Sequence, residues 1–433
     1  MKKLSGPLLI FSLGISPVFS QVISADTISP AAANETVSDA STSRLYAPLF
    51  PQKKVLFSVA GELSSNSNAV PSAFSNAFLF PKFIDESLKQ EAFGKLEPTN
   101  RFGAEYSTQG EFSFYPDSTW KAGSQFIRIS FAQKQLFALQ FSEDLFHVVF
   151  GGNADYADRT ANFDNFSYYG ISYQTLKAGF FKNIKTLTLG VSLGIARGLS
   201  HTDLRAKSAS LYTEPAGQYL DVAFSGTYLE SGIVNNQLHL TPSYGGLVDL
   251  YFVVKPGKGW NFIAEVQDLG FINWNERTSL SAKDTAFRFT GIQVEDLFHP
   301  GDSSIVLSDT LLSSLKGDEV TGVSMQALPA TFRLSADRVI YGSWKAGVSA
   351  QYRYIPGYTV QYGLSLSKHF LNGMAVGVNA YYGGFGNLRT ALQVTLLNND
   401  RHYLTLGTMY NEGFINSKKA AGNGFMLRYS YSL

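Results

Sequence analysis

Long runs of strict apolar–polar alternation constrain this chain more than any other feature of its sequence. Trp344, Ala346, Val348, Ala350, Tyr352 and Tyr354 interleave with Lys345, Gly347, Ser349, Gln351 and Arg353. A period of two marks a β-strand, whose side chains point alternately to opposite faces. The pattern recurs in Leu187, Leu189, Val191, Leu193 and Ile195, set against Thr188, Gly190, Ser192 and Gly194. It appears again over 101–114, and after Pro356-Gly357 in Val360, Tyr362, Leu364 and Leu366. Met374 to Ala380, Leu388 to Leu396 and His402 to Tyr410 continue it, with Asn372-Gly373, Gly383-Gly384 and Asn398 to Asp400 as turns. Successive hairpins leave no room for crossover helices, so the expected topology is an antiparallel up-and-down meander.

Strand length bears on the environment. Soluble strands average about 5–6 residues, and a membrane-crossing strand needs about 9–11. The runs here are mostly 9 to 14 residues long. Trp344 and Tyr352 share a face about eight residues apart, roughly 26 Å along a strand. Tilted by about 40°, that covers nearly 20 Å of the ~25 Å apolar band between aromatic girdles. Alternation alone does not say which face is which, and a soluble sandwich or propeller is the alternative. Few helical stretches exist to cover an apolar exterior, so the expected fold class is all-β, a transmembrane antiparallel up-and-down β-barrel with a few short accessory helices.

The rest of the sequence fits an exported protein. Lys2 and Lys3, the apolar Leu8 to Ile15 and the site at Val18-Phe19-Ser20 read as a signal peptide over 1–20. Removing it leaves 33 basic and 34 acidic side chains, a balance that argues against nucleic acid. The chain has no cysteine, which rules out disulfides, thiolate metal sites and a cysteine nucleophile. Residues 21–54, rich in Ser, Thr and Ala, read as an N-terminal tail or plug, and 55–433 as the barrel with its loops. Helices are expected over Pro81 to Lys95, with Asp85 as cap and Leu88 and Ala92 on one face, and over Ser303 to Leu315. Asn153 to Asn165, Arg197 to Gly217 and Phe271 to Lys283 read as large irregular loops. The final run, Gly424 followed by Phe425, Leu427, Tyr429, Tyr431 and Leu433, resembles the closing strand that outer-membrane assembly machinery recognises. It makes that machinery, together with outer-membrane lipid, an expected partner, in the outer membrane of a Gram-negative bacterium.

Little in the chain reads as chemistry. Gly190-Val191-Ser192-Leu193-Gly194 has the spacing of a hydrolase elbow but lies mid-strand, where the required strand-to-helix turn is missing. The six histidines show no metal-ligand spacing, and Asp155, Asp158 and Asp164 match no calcium loop. No catalytic residue, metal or cofactor is expected, and the chain is not read as an enzyme. If the apolar rows face lipid, Arg101, Glu105, Glu111, Arg353, Arg389 and Arg428 project into the lumen, with His369 also on its strand's polar face. Inward charges must pair or meet water. They form either a structural ion network, the favoured reading, or a gated polar path beside a ligand pocket.

Several segments are similar to an uncharacterised Bacteroidota family of predicted outer-membrane barrels. They are Gly152-Asn153, Leu187 to Gly198 with Ser210-Leu211-Tyr212-Thr213-Glu214-Pro215, and Asp268-Leu269-Gly270-Phe271-Ile272-Asn273-Trp274-Asn275 followed by Phe289-Thr290-Gly291. Leu328-Pro329-Ala330-Thr331-Phe332-Arg333-Leu334 resembles a strand start of long-chain fatty-acid transporter (FadL-type) barrels and their PorV-type relatives. The resemblance spans roughly 55–433 and implies about fourteen strands with an inward-folded N-terminal segment. FadL-type chains carry Asn-Pro-Ala near the mature N-terminus, where this one has Ser29-Pro30-Ala31. The FadL likeness implies binding or passage of a small hydrophobic compound. The PorV likeness implies a scaffold or shuttle for cell-envelope or secreted proteins, without transport.

Overall fold

The computed structural model describes residues 55–79, 83–115, 125–234, 237–238, 243–290, 320–370, 373–398 and 401–433. The signal peptide, the tail or plug over 21–54 and the helix expected over Ser303 to Leu315 lie outside the described residues. The alternating runs become strands: β1 (Val55–Ser67), β2 (Thr99–Phe114), β3 (Gln125–Ser142), β4 (Arg159–Asn162), β5 (Ser167–Ile184) and β6 (Leu187–Thr213). Next come β7 (Leu220–Ser231), the short hairpin β8 (Ile233–Val234) with β9 (Gln237–Leu238), then β10 (Ser243–Gly257), β11 (Trp260–Phe289) and β12 (Val320–Ala327). The last third is a plain meander of β13 (Thr331–Tyr341), β14 (Trp344–Arg353), β15 (Gln361–His369), β16 (Met374–Gly383), β17 (Gly386–Asn398), β18 (His402–Met409) and β19 (Gly422–Ser432).

Fourteen of these strands form one closed antiparallel barrel: β1, β2, β3, β5, β6, β10, β11 and β13 to β19. The seam is the β1–β19 pair, in unbroken register from Leu56↔Ser432 to Asn66↔Gly422. Closure removes the unpaired edges that an open sheet of this size would expose. The two ends of the barrel differ. At one end lie the start of β1, the end of β19 and two-residue turns such as Lys258-Gly259, whose positive φ values of 52° and 75° are those of a type I′ hairpin. The opposite end carries the longer connections.

The inside–outside question left open by alternation is answered by exposure. On β6, Leu189, Val191, Leu193 and Ile195 face outward and are exposed, while Ser192 and Ala196 point inward and are buried. On β1, Phe57 and Leu63 face outward, whereas Ser58, Glu62 and Ser64 are buried within. A soluble barrel has the reverse arrangement. Trp344 and Tyr352 both lie on the outer face, near opposite ends of β14. At the short-turn end Trp344 is capped by the Lys368 ammonium, 5.2 Å above the ring, and Trp260 by the Arg338 guanidinium at the same distance. Aromatic rings paired with cations in this way suit a lipid–water boundary.

Two segments expected to be loops are strand instead. Arg197 to Thr213 continues β6, and Phe271 to Lys283 continues β11, so the two strands run 27 and 30 residues. As they rise past the end of β10, β7 takes its place between them, pairing with β6 from His201↔Ser231 and with β11 from Ser279↔Glu230. β4 continues the line of β5, and β12 that of β13, along the outer sides of the same extension. In β6 the extension buries Ser200, His201 and Thr202 in succession, so no apolar face is sustained and polarity concealed its strand character. The segment Asn153 to Asn165 holds a 3₁₀ turn at Ala154–Tyr156 and β4.

The helices pack outside the wall. α1 (Ser72–Leu79), α2 (Glu86–Phe93) and α3 (Glu143–Gly151) join at the loop end, and α4 (Glu412–Ile415) precedes β19. Asp85 caps α2 by accepting from the Leu88 amide at 2.8 Å, and Leu88 and Ala92 are buried, as their spacing predicts. With Phe74 and Phe146 they cover Phe102 and Phe141 near the loop end of β2 and β3.

Candidate functional site in the barrel lumen

The inward positions stack in layers. Next to the short turns, Phe126 and Phe181 stack at 4.6 Å, with Tyr115 and Tyr251 completing an aromatic floor. The Arg128 guanidinium lies 4.6 Å over the Phe181 ring and 3.9 Å from Glu111, whose other oxygen accepts from Arg428 at 3.1 Å.

Above this the wall breaks register to aim a carboxylate inward. Val248 pairs Leu269 and Leu250 pairs Val266, so Gln267 and Asp268 together oppose Asp249. Such a bulge redirects side chains. Asp268 occupies it with φ 55°, a left-handed conformation that aspartate tolerates better than most residues. Its amide donates to Asp249 Oδ1 at 2.7 Å. Its carboxylate receives Lys134 Nζ at 2.5 Å, Lys177 Nζ at 2.6 Å and the Tyr173 hydroxyl at 3.0 Å, and Lys177 also reaches Asp249 at 2.6 Å. Two ammonium groups and two carboxylates thus balance inside the wall. Nearby, Lys345 pairs with Asp337 at 2.8 Å, and Arg333 bridges Glu265 at 3.1 Å and Gln351 at 2.7 Å.

An apolar layer closes the lumen toward the loop end. Trp274, Ile272, Leu328 and Tyr173 are almost wholly buried and pack with Tyr169 and Phe385. His201 stacks on Trp274, ring centroids 5.5 Å apart, and among the described residues neither of its buried ring nitrogens has a hydrogen-bond partner. Beside this layer, and sharing Leu136, Ile355 and Phe385 with it, is a cavity that is partly open to solvent. Tyr358, Tyr381, Phe385 and Tyr410 line one part of it, and Glu62, Glu105, Arg333 and Arg353 another.

The seven charged or titratable residues singled out from the sequence do not form one site. Glu105 and Arg353 meet at 2.5 Å and line the cavity. Glu111 and Arg428 pair deep in the lumen, toward the short turns. Arg389 is near the loop end, donating to the carbonyls of Ser67 and Leu388. Arg101 is also near that end, its amide donating to Asn68 Oδ1, and His369 ends β15 at the short-turn end. Sequence reasoning passed over the Asp268 cluster, the Glu265–Arg333 and Asp337–Lys345 pairs, Arg128 and Glu62. Most of them are inward charges flanked by apolar or small residues, as in Leu176-Lys177-Ala178 or Val248-Asp249-Leu250. Ser192 of the elbow-like string sits mid-strand between Gly179 and Asp249, with no turn. Asp158 and Asp164 hold the loop, accepting from the Tyr212 hydroxyl and the Ala209 amide. Among the described residues, no three His, Asp or Glu side chains converge on a metal position.

A closed pairing circuit, an apolar exterior and an ion-paired lumen define a β-barrel of the membrane-spanning kind. The chain belongs to the Family of unknown function (DUF5723), whose model matches residues 43–398. Among solved structures it is similar to the toluene transporter TodX of Pseudomonas putida, at 8% identity over 90% of this chain and 91% of that one, TM-score 0.43. It is also similar to a Pseudomonas aeruginosa FadL homologue (9%, 88% and 90%, TM-score 0.40) and to the translocator domain of the autotransporter NalP from Neisseria meningitidis (7%, 87% and 88%, TM-score 0.32). No curated protein matches the chain. The barrel described above stands on its own strand pairing.

Proposed function

We propose that this protein is an integral barrel of a Gram-negative outer membrane that captures a small hydrophobic compound in its lumen. The observation that carries the reading is the lumen cavity beside the apolar layer, lined in part by the rings of Tyr358, Tyr381, Phe385 and Tyr410, within a barrel whose exterior is apolar. Pockets for small molecules are typically concave and aromatic, with a few polar groups to orient the guest. The ion pairs of the lumen favour capture over free diffusion, since an open aqueous pore needs a continuous water column and the Glu105–Arg353 and Lys134–Asp268 pairs join strands that are not neighbours in the wall. The short-turn end is the periplasmic one, as in barrels with short periplasmic turns and longer external loops.

The test is extraction in mild detergent, with mass spectrometry of what remains bound to native protein and to Ser64→Phe, which fills the cavity. A stoichiometric small hydrophobe on the native protein, lost in the variant, supports capture. Porin-like conductance in planar bilayers, or no bound compound in either protein, counts against it. The alternative is a PorV-type scaffold for an envelope protein. It is favoured by the wall extension, where Val323 and Met325 of β12 are exposed on a sheet that rises beyond the barrel. A stable co-purifying protein with an empty cavity would select that reading.

A further inference from the structure

One acidic side chain beside the cavity has no basic partner among the described residues. Arg353 is matched by Glu105 and Arg333 by Glu265, which accounts for both guanidiniums. Glu62 remains. Its carboxylate is 8% exposed, and its hydrogen bond is to the Ser64 hydroxyl at the long distance of 3.5 Å. Among the described residues no cation lies within ion-pair distance of it. The Lys134 ammonium is engaged by Asp268, in a cluster that is already neutral. Asn66, on the same inward face of β1, also lines the cavity, and among the described residues its buried Oδ1 has no donor. A purely apolar guest would leave both acceptors unsatisfied, at a cost that buried polar groups usually avoid.

A buried carboxyl group beside aromatic rings suits one ligand chemistry. A protonated primary amine brings three N–H donors and one positive charge, and ring faces attract the cation as well as the hydrocarbon attached to it. We infer that the lumen cavity binds a small primary amine as its ammonium ion, with Glu62 as counter-ion and the rings of Tyr358, Tyr381 and Phe385 around its apolar body. This rests on reading the lumen as a capture site and names the class of compound captured. Charge-assisted hydrogen bonding to a buried carboxylate supplies selectivity, because a neutral analogue of the same shape leaves Glu62 unmatched.

The experiment is calorimetric titration of the full-length protein in detergent at pH 7 with 2-phenylethylamine and with 2-phenylethanol, its neutral analogue. The native barrel is expected to bind the amine about tenfold or more tightly than the alcohol, a preference of about 1.4 kcal/mol. Glu62→Gln is expected to remove that preference. Equal affinities in the native protein, or an amine preference that survives Glu62→Gln, would overturn the inference while alcohol binding still supported hydrophobic capture. If neither compound binds, the capture reading fails and this inference falls with it. Retention of the heat-modifiable folded band on gels verifies the variant, and the native amine–alcohol comparison decides the matter by itself if the variant does not fold.

Discussion

Replacing Asp268 with asparagine tests whether the lumen is held by its ionic layers. Asparagine tolerates the φ of 55° at the bulge, so the backbone is spared and the charge is what changes. The wild-type cluster is neutral: Lys134 and Lys177 against Asp249 and Asp268. Asp268→Asn leaves one excess positive charge in a wall whose outer face is lipid. Lys177 keeps Asp249 at 2.6 Å, so the loss falls mainly on the Lys134 side, where the 2.5 Å contact disappears. Removing one partner of a buried pair costs about 3–5 kcal/mol. With an m-value of about 2 kcal/mol per M, the urea midpoint falls by about 2 M. The assay is urea titration of the full chain in micelles, followed by tryptophan fluorescence. A second change, Lys134→Met in the Asp268→Asn background, restores neutrality and should regain at least about 1.5 kcal/mol, the coupling expected of contacting residues. A loss below about 1 kcal/mol for Asp268→Asn, or no recovery in the double variant, refutes the reasoning.

Three further outcomes are expected. Trp274→Ala empties part of the apolar layer beside the cavity and should cost about 3–5 kcal/mol in the same titration; a loss under about 1 kcal/mol would show that the layer is loosely packed. A Cβ at Gly103 would overlap the Phe385 ring, so Gly103→Ala should destabilise by about 1–3 kcal/mol, and adding Phe385→Leu should recover most of that. In the wall extension, the Arg288 guanidinium binds Asp221 through both oxygens, at 2.7 and 2.8 Å, and holds that carboxyl below its ordinary range. A depressed carboxyl contributes stability that is present above its unfolded value and lost as pH falls through the folded one. Arg288→Met should therefore loosen amide protection in β7 at pH 7, and the difference from native should fade below about pH 4, near the ordinary aspartate value. A difference that persists in acid would sever the link to Asp221.

Much of the barrel was legible because a lipid-facing strand must repeat its apolar residue at every second position. Leu187 to Ile195 and Trp344 to Tyr354 show that rule without interruption, and both are wall strands. The rule lapses where the environment changes. Beyond Arg197, β6 buries polar and small residues such as Ser200, His201, Thr202 and Ala206 without alternation, and its strand character left no periodic trace. At Asp268 the bulge shifts parity by one, so a reading by alternation places Leu269 and Phe271 correctly only if the slip is known. The lumen charges were visible as residue types but not as partners. Glu105 and Arg353 are 248 positions apart, and their meeting depends on barrel closure and stagger, which no local pattern encodes. The segment from Asp268 to Trp274 was noticed as a resemblance, and its physical content came from packing. Asp268 anchors the ion cluster, Ile272 and Trp274 build the apolar layer, and Gly270 lies against the Gly246 carbonyl, where a Cβ would overlap it.

The measurement closest to the central claim uses the absence of cysteine from the chain. Single cysteines at the outward positions Leu193 and Leu364, and at the cavity positions Ser64 and Gln361, can each carry an environment-sensitive fluorophore in reconstituted vesicles. An apolar exterior and a polar lumen require lipid-borne nitroxides to quench the label at Leu193 and Leu364 and to spare it at Ser64 and Gln361. Quenching of the second pair and not the first would turn the barrel inside out, and no lipid quenching at any position would remove it from the membrane.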